Sequence, residues 1–446
     1  MTAVTCTFKN KRKLPPCRAA CPADVNVQGY VALLQQGRFK EAVELVRKSI
    51  PFPAVCGRVC YCPCEDACSR KNIDQPVSIR ALKWLIADIE REQGRVKPEP
   101  VAKTHSEKVA IIGAGPAGLS AAYELAKLGY PVTVFDAMSE PGGTMRYFIP
   151  DSRLRKDVVA NEIAYIHDVG VEIRMGLIFG EDLTIDSLRD DGYEAMFLAM
   201  GVQKVWSRKL KRQNALPLPS ILLKVESGEA LTELSTISVD PLTLETRIPG
   251  VFAGGDVVTG KASGIVYAIG AGKRAAISIH RYLNRQDLRT GRKEEIDEIT
   301  WVKDWERIAK KPRRHTSPRA DVAKQRVSFE EAEEHLAKIK EAAIFEARRC
   351  LECGPCSECL GSEGLCEADK AVVDEALCIG CNVCVTICPF DAVNKNEKGV
   401  AKVRVNLCKG CGACTASCPE QAITMRLFSD AKIMRKVVAS LRGDLT

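Results

Sequence analysis

The distribution of cysteine constrains this chain more than any other feature of its sequence. The chain has 446 residues and 21 cysteines, which all lie between residues 6 and 68 or between residues 350 and 418. A disulfide-rich fold would spread its cysteines along the segments that it joins, whereas metal ligands are grouped at short spacings. The two blocks therefore predict metal-bound thiolates towards both ends of a chain whose middle has no cysteine.

The C-terminal block contains an internal repeat, in which Leu377–Pro389 is echoed by Leu407–Pro419. Each copy has the spacing C-x2-C-x2-C-x3-C-P, which is typical of proteins that hold two [4Fe-4S] clusters, and the fourth cysteine of each copy binds the cluster of the other. A pair of zinc ribbons is the alternative, but zinc ribbons seldom have this spacing. We predict one cluster on Cys378, Cys381, Cys384 and Cys418, and a second on Cys408, Cys411, Cys414 and Cys388.

A looser group of cysteines precedes this repeat. Cys353, Cys356 and Cys359 have the same short spacing, and Cys366 would close the site although no proline follows it. We predict a third cluster on these four residues, with a structural zinc as the alternative. Cys350 would then be a spare thiol or a substitute ligand.

A glycine-rich turn follows a short apolar strand predicted at residues 108–112. The turn comprises Gly113, Gly115, Pro116, Ala117 and Gly118. In a dinucleotide-binding unit the first glycine allows the turn, the second lets the pyrophosphate approach, and the third lets helix and strand pack closely. The next predicted strand ends at Asp136, where such units carry the acidic residue that binds the ribose. We therefore predict that the phosphates of a dinucleotide lie at the N-terminus of the following helix.

Two further glycine pairs point to a flavin. The segment Thr246–Asp256 ends in Gly254, Gly255 and Asp256, and it resembles the C-terminal FAD motif of flavoproteins with two dinucleotide-binding domains. The resemblance implies that Asp256 binds the ribityl and phosphate region of FAD, and that the next helix points its N-terminus at the isoalloxazine ring. Gly142 and Gly143 resemble a loop of the glutamate synthase small subunit that runs along the flavin.

The N-terminal cysteines form two groups, which a predicted helical segment, Val27–Lys48, separates. They are Cys17 and Cys21 in the first group, and Cys56, Cys60, Cys62, Cys64 and Cys68 in the second. This part resembles the N-terminal cluster domain of the glutamate synthase small subunit and of dihydropyrimidine dehydrogenase. The resemblance implies that one cluster is bound by Cys21, Cys60 and Cys64, and another by Cys17 and Cys68.

The ligands of the second N-terminal cluster are incomplete in this sequence. In the family, two further cysteines lie just before the position of Cys17, and only the more distant Cys6 is available here. We predict at least one cluster in this region and leave its ligand set open. The candidate ligands are Cys17, Cys21, Cys56, Cys60, Cys64 and Cys68, whereas Cys62 is predicted to be a spare thiol.

The nicotinamide domain of the glutamate synthase family has no counterpart in the sequence. That family inserts a second Rossmann domain between the halves of its FAD domain, whereas residues 201–235 here lack a glycine fingerprint and are too few for a βαβαβ half-domain. Gly270 and Gly272 belong to a G-x-G-x-x-A sequence, but it lies inside a predicted helix. We therefore predict no NAD(P)H site on this chain.

These parts predict a multidomain α/β chain with an N-terminal helical iron-sulfur domain, a Rossmann-like FAD domain and a C-terminal α+β ferredoxin-like domain. The layout also resembles the flavin and cluster subunit of heterodisulfide reductase-type complexes. The predicted boundaries are 1–100 for the first domain, 101–285 for the second (halves 101–205 and 236–285), 286–345 for a helical connector, 346–430 for the ferredoxin-like multi-cluster domain and 431–446 for a tail.

Charge and hydropathy bear on location and partners. The formal net charge of +8 counts every thiol as neutral. Several [4Fe-4S] clusters, each with a net charge of about −2, would cancel it, and we therefore predict no nucleic-acid binding.

The location of the protein is predicted from its apolar segments. Met1–Lys13 has no apolar signal-peptide core, and no apolar run approaches the ~20 residues of a membrane span. We expect a cytoplasmic protein without a membrane span.

The functional expectation is an oxidoreductase subunit that relays electrons between FAD and several [4Fe-4S] clusters, with flavin-based bifurcation as an open extension. No set of serine, histidine and aspartate stands out as catalytic, so the substrate site is expected on a partner. The expected partners are other subunits of a redox complex, ferredoxin, or both. The alternatives are a self-sufficient NAD(P)H-dependent oxidoreductase and a structural scaffold without an active flavin.

Overall fold

The structure is a computed structural model, and it describes residues 14–95, 97–201, 236–292, 329–351, 353, 370–388, 392–404, 408 and 413–425. These residues form a helical N-terminal part, a parallel sheet covered by helices, and a small C-terminal α+β part. The predicted fold class is confirmed. Within the described residues, none of the helices combines the length and the apolar character that a membrane crossing requires.

The N-terminal part consists of helices around one apolar core. The helix Ile79–Glu92, which we call α6, repeats apolar residues every three or four positions, and its Leu82, Ile86 and Ile89 are buried. The predicted segment Val27–Lys48 is divided into two helices by a turn at Gly37. The helices are α1 (Pro16–Ala19), α2 (Val27–Gln35), α3 (Phe39–Ser49), α4 (Pro53–Val59), α5 (Pro63–Asp66) and α6 (Ile79–Glu92), with a 3-10 helix at Ser69–Asn72 before α6.

The second part is a five-stranded parallel sheet in the order β3-β2-β1-β4-β5. Its strands are β1 (Lys108–Ile112), β2 (Val132–Asp136), β3 (Glu172–Met175), β4 (Tyr193–Leu198) and β5 (Val251–Ala253). The helices are α7 (Pro116–Lys127), α8 (Thr144–Tyr147), α9 (Lys156–Asp168), α10 (Ile185–Asp190), α11 (Asp256–Thr259) and α12 (Ile265–Leu283). Because β2 and β4 lie on opposite sides of β1, the strand order reverses there, and a crevice opens at the carboxyl ends of the strands.

A later helix returns the chain to the N-terminal part. Helix α13 (Phe329–Ala347) packs against α2 and α6. The Gln35 side chain donates a hydrogen bond to the Ala347 carbonyl (3.2 Å), and the Ser78 N–H donates to the Glu346 carboxylate (2.9 Å). The end of α13 is therefore anchored on helices that precede it by more than half of the sequence.

The C-terminal part pairs its first strand with its last. Strands β6 and β9 are antiparallel neighbours, and β7 and β8 form a second antiparallel pair. The elements are β6 (Ala371–Val373), α14 (Val383–Ile387), β7 (Val393–Lys395), β8 (Ala401–Val403), α15 (Ala413–Ala416) and β9 (Ile423–Met425). Its core consists of cysteines together with small apolar side chains such as Ala371, Ala392 and Ala401.

Candidate functional site

A cleft with about 1040 Å³ of empty space opens at the carboxyl ends of β1, β2 and β4. Most of the predicted dinucleotide residues line it, namely Gly113, Gly115, Pro116, Ala117, Asp136, Gly143 and Asp256. The other predicted residues, Gly118, Gly142 and Gly255, are not in its wall but adjoin residues that are. The cleft therefore lies where the strand order reverses, the position at which doubly wound sheets bind their ligands.

Gly118 allows the first turn of α7 to pack directly on the loop before it. A Cβ atom at this position would lie 1.9 Å from the Gly113 carbonyl oxygen and 3.1 Å from Ile111 Cγ2. No other residue fits here without moving the backbone of the loop. The glycine thus brings the N-terminus of α7, with its free N–H groups, to the edge of the cleft.

Asp136 is held at the end of β2 by backbone donors. Its carboxylate accepts hydrogen bonds from the Ala114 N–H (2.6 Å) and the Met138 N–H (2.8 Å). Burial raises the pKa of this carboxyl above its ordinary value, and the two N–H donors oppose that shift. The side chain is consequently a fixed acceptor in the wall of the cleft, which suits a hydroxyl ligand.

Asp256 begins α11 on the other side of the cleft. Its Oδ1 accepts hydrogen bonds from the N–H of Ser263 (3.0 Å) and from the hydroxyl of Ser263 (2.6 Å). These bonds join the end of β5 to the start of α12, and Ala268 of α12 also lines the cleft. The two glycine motifs, far apart in sequence, thus border one site.

Helix α12 lies between the cleft and the N-terminal cysteines. A Cβ atom at Gly272 would be 2.2 Å from the Ala117 carbonyl of α7, and one at Gly270 would be 2.4 Å from the Pro22 carbonyl. The Lys273 ammonium donates to the Ala23 carbonyl (2.6 Å). The G-x-G-x-x-A sequence lies inside a helix, as predicted, and its glycines serve close packing on both sides.

Four N-terminal cysteines surround a buried lysine. Burial by itself would lower the pKa of Lys83, but the Coulombic interactions with Cys56, Cys64, Cys21 and Cys60 outweigh it and raise that pKa above its ordinary value. A hydrogen bond from Cys62 lowers the pKa of Cys60 to about 6, against the effect of burial. Sequence reasoning missed Lys83, although its place on the apolar face of α6 is a signal. We call Cys21, Cys56, Cys60 and Cys64 the inner N-terminal set.

A second pocket, with about 400 Å³ of empty space, is lined by cysteines from both blocks of the sequence. They are Cys17, Cys68, Cys350 and Cys353. Burial raises the pKa of Cys17 well above its ordinary value, and the thiolates of Cys350, Cys68 and Cys353 raise it further. The predicted partners of Cys353, which are Cys356, Cys359 and Cys366, lie outside the described residues, as does Cys6.

The first cluster predicted from the repeat corresponds to a pocket with about 380 Å³ of empty space in the C-terminal part. Its wall contains all four predicted cysteines, Cys378, Cys381, Cys384 and Cys418. The Ala401 N–H donates a hydrogen bond to the Cys378 sulfur (3.4 Å), as backbone amides do to cluster ligands. The crossed position of the fourth cysteine is therefore compatible with the fold.

Three of the four cysteines predicted for the second cluster are described, and Cys411 lies outside the described residues. Cys388 and Cys408 accept hydrogen bonds from the N–H groups of Ala392 (3.2 Å) and Ala371 (3.5 Å), and Cys414 belongs to the same core.

In the part of the chain that the structure describes, no three histidine, cysteine, aspartate or glutamate residues are placed to hold a single metal ion. The cysteines instead line pockets or lie in the apolar core.

A buried carboxylate joins the sheet to the cysteine-bearing helices. Glu162 of α9 accepts hydrogen bonds from the N–H groups of Ala54 (2.8 Å) and Val55 (3.0 Å), at the N-terminus of the helix that carries Cys56. Burial raises the pKa of Glu162 to about 7, although Arg47 and the two N–H groups oppose this shift. The side chain therefore titrates near neutral pH inside the interface.

This pKa predicts a pH-dependent stability. Because the folded pKa of Glu162 exceeds its ordinary value, its stabilising contribution is full below the unfolded pKa and is lost as the pH rises through about 7. From about pH 5 to about pH 8 we expect the unfolding free energy to lose about 2 to 3 kcal/mol through this group. Anaerobic denaturant titrations across this range measure the loss, and Glu162→Gln should remove it. If the unfolding free energy of Glu162→Gln fell with pH as steeply as that of the wild-type protein, Glu162 would not be the titrating group.

Three segments of the chain match known families. Residues 4–95 match the family described as dihydropyrimidine dehydrogenase domain II, 4Fe-4S cluster, and residues 371–425 match the 4Fe-4S dicluster domain. Residues 111–176, which contain most of the cleft residues, match the NAD(P)-binding Rossmann-like domain. These matches support the prediction of [4Fe-4S] clusters at both ends and of a dinucleotide site between them.

Curated relatives share parts of this arrangement. The NADP(+)-dependent formate dehydrogenase subunit beta of Moorella thermoacetica is 41% identical over 42% of this chain and 29% of its own length. The NADPH-Fe(3+) oxidoreductase subunit beta of Geobacter sulfurreducens is 38% identical over 42% of this chain and 28% of its own length. The glutamate synthase [NADPH] small chain of Mycobacterium tuberculosis is 30% identical over 60% of this chain and 54% of its own length.

The chain thus spans about half of the length of these relatives, or less. The relatives are named as subunits or chains of oxidoreductases, which agrees with the predicted resemblance to the glutamate synthase small subunit. Segment by segment, the chain is similar to a dinucleotide-binding oxidoreductase subunit with a 4Fe-4S domain before its Rossmann-like segment and a 4Fe-4S dicluster domain after it.

Proposed function

We propose that this chain is the electron-transfer subunit of an oxidoreductase complex, and that it relays electrons between FAD and several [4Fe-4S] clusters. One observation carries the proposal: α12 contributes Ala268 to the dinucleotide cleft and packs its Gly270 on the carbonyl of Pro22, next to Cys21. A single rigid helix therefore separates the dinucleotide site from the inner N-terminal set. When bound, FAD exchanges electron pairs or single electrons, and each cluster exchanges single electrons.

The cleft suits FAD because both glycine motifs border it. The loop after β1 and Asp136 would hold the adenosine and pyrophosphate half, while Asp256 and the N-terminus of α12 would lie along the ribityl chain and the flavin ring. The family match over residues 111–176 is named for NAD(P) and covers only the first of these motifs. The contribution of Asp256 to the same cleft favours FAD.

The C-terminal part has the surface expected of an electron entry or exit site. Four large apolar side chains are exposed beside the pocket of the first repeat: Leu377, Ile379, Val383 and Ile387. Apolar surface of this kind next to a redox centre is suited to a transient protein partner. We propose that another subunit or a ferredoxin docks there, and that the reaction with the final substrate takes place on a partner. Electron bifurcation remains a prediction from the layout alone.

The competing function is a self-sufficient NAD(P)H oxidoreductase, which the family match over residues 111–176 and the relatives' names favour. Two measurements on the anaerobically purified protein distinguish the relay from the NAD(P)H oxidoreductase. They are identification of the released cofactor and rapid mixing with NADH and NADPH. The relay predicts close to one FAD per chain, reduction by dithionite, and no flavin bleaching by either nucleotide within seconds. Rapid bleaching by NADPH would establish the competing function, and a preparation with iron but without FAD would identify a scaffold.

A further inference from the structure

We propose that Cys17, Cys68, Cys350 and Cys353 together bind one [4Fe-4S] cluster, which joins the two cysteine blocks of the sequence. The four residues line one pocket of about 400 Å³. The pocket around the four predicted ligands of the first repeat has nearly the same size, about 380 Å³. Each pocket has four cysteines in its wall, which is the number of thiolate ligands that a [4Fe-4S] cluster takes.

The anchor of α13 brings Cys350 and Cys353 to this pocket. Arg349, which precedes Cys350, is fully buried and forms ion pairs with Asp74 (2.9 Å) and Glu346 (2.7 Å). The Arg70 guanidinium donates to the Arg349 carbonyl (3.2 Å), and the Gln35 side chain donates to the Ala347 carbonyl (3.2 Å). Because the backbone is fixed on both sides of residue 348, the position of Cys350 is fixed by the N-terminal helices.

The pocket has the surroundings that a cube requires. Burial raises the pKa of the Cys68 thiol, and the nearby backbone N–H groups of Val77 and Arg70 oppose this shift, as amide donors beside the thiolate ligands of clusters do. Val27, Val31 and Ile79 form an apolar wall that limits the access of water. The site therefore combines four thiols, amide donors and a largely apolar lining.

The assignment also completes the ligand set that the sequence left open. Cys17 and Cys68 lack the upstream pair found in the resembling family, and the C-x2-C pair Cys350 and Cys353 occupies the remaining wall of their pocket. Cys353 can bind only one of two clusters. The shared cluster proposed here and the cluster predicted on Cys353, Cys356, Cys359 and Cys366 therefore exclude each other.

The proposed site is a neighbour of the inner N-terminal set, because Cys17 lies within electrostatic range of Cys64.

The test counts iron in the full-length protein purified anaerobically. Cys17→Ser and Cys350→Ser should each remove about four iron atoms per chain, and the double variant should lose the same four and no more. Mössbauer spectra should show the loss of one cluster while the FAD content stays constant. Cys6→Ser is the matched control, because the proposed ligand set is complete without Cys6, and this variant should keep its iron.

Three results would overturn the proposal: full iron content in Cys350→Ser, a loss of about eight iron atoms in the double variant, or the loss of one zinc ion instead of iron. If the variants do not fold, the wild-type protein provides a second test. Cluster removal by oxidant and chelator should make Cys17, Cys68, Cys350 and Cys353 reactive towards an alkylating agent together, and separate reactivity of Cys350 would refute the shared site. The site does not depend on the proposed relay, because iron counting is independent of flavin reduction by NADPH.

Discussion

Replacing Gly118 by valine is expected to release the dinucleotide from the purified protein, because its affinity should fall at least tenfold. This fall corresponds to about 1.4 kcal/mol of binding free energy. The added Cβ atom would lie 1.9 Å from the Gly113 carbonyl oxygen, so that the loop and the N-terminus of α7 must separate. The phosphate-binding N–H groups would then lose their alignment with the cleft. Absorbance of the flavin relative to iron, and fluorescence of the released cofactor, measure the loss.

A control variant separates this effect from a general weakening of the helix. Lys127→Val introduces the same β-branched residue into the last turn of α7, where the side chain is partly exposed. It should retain the dinucleotide. Iron content should stay at the wild-type level in both variants, because the cysteine sets lie outside the cleft. A Gly118→Val protein with its full complement of FAD would contradict the assigned role of the turn.

Replacing Arg349 by methionine is expected to lower the unfolding free energy by about 3 to 5 kcal/mol, the cost of breaking a buried ion pair from one side. Arg349 and Glu346 are both fully buried, and the variant would leave the Glu346 carboxylate without its cation. The carbonyl groups of Gln75 (2.5 Å) and Pro76 (3.3 Å) would also lose a donor. Anaerobic denaturant titration followed by circular dichroism measures the change.

The neighbouring residue provides the control for Arg349. Arg348 is exposed, and Arg348→Met removes the same charge from the same turn, with an expected change within about 0.5 kcal/mol. Because the anchor also fixes Cys350, Arg349→Met should lower the iron content as well. Identical unfolding curves for the two variants would show that the buried pair does not hold α13 on the N-terminal helices.

The local motifs of this protein could be predicted from its sequence. The turn from β1 into α7 and the acidic residue at the end of β2 both follow from patterns within one or two elements, because glycine spacing and apolar runs act locally. The crossed ligand set of the first repeat is also a prediction from the sequence, since the spacing of such repeats leaves few geometries. In the structure, one pocket is lined by Cys378, Cys381, Cys384 and Cys418.

Other features depended on contacts between distant segments. The sequence assigned Cys350 as a spare or substitute thiol, whereas the structure places it with Cys17, Cys68 and Cys353. In the sequence, Lys83 is one charged residue of an amphipathic helix. Only the fold brings it within electrostatic range of four cysteines. Gly270 and Gly272 resembled a nucleotide motif, and the tertiary structure uses them as contact points for Pro22 and Ala117.

The sequence by itself thus determined which kinds of centre are predicted for this protein, because the chemistry of a centre depends on residue types at short spacing. Only the tertiary structure decided which cysteines meet across the chain, and that α12 lies between the dinucleotide cleft and the cysteine-bearing helices. The physical reason is that burial of an arginine, close helix packing and pocket formation depend on which surfaces come together. Those contacts join residues hundreds of positions apart, and no local pattern encodes them.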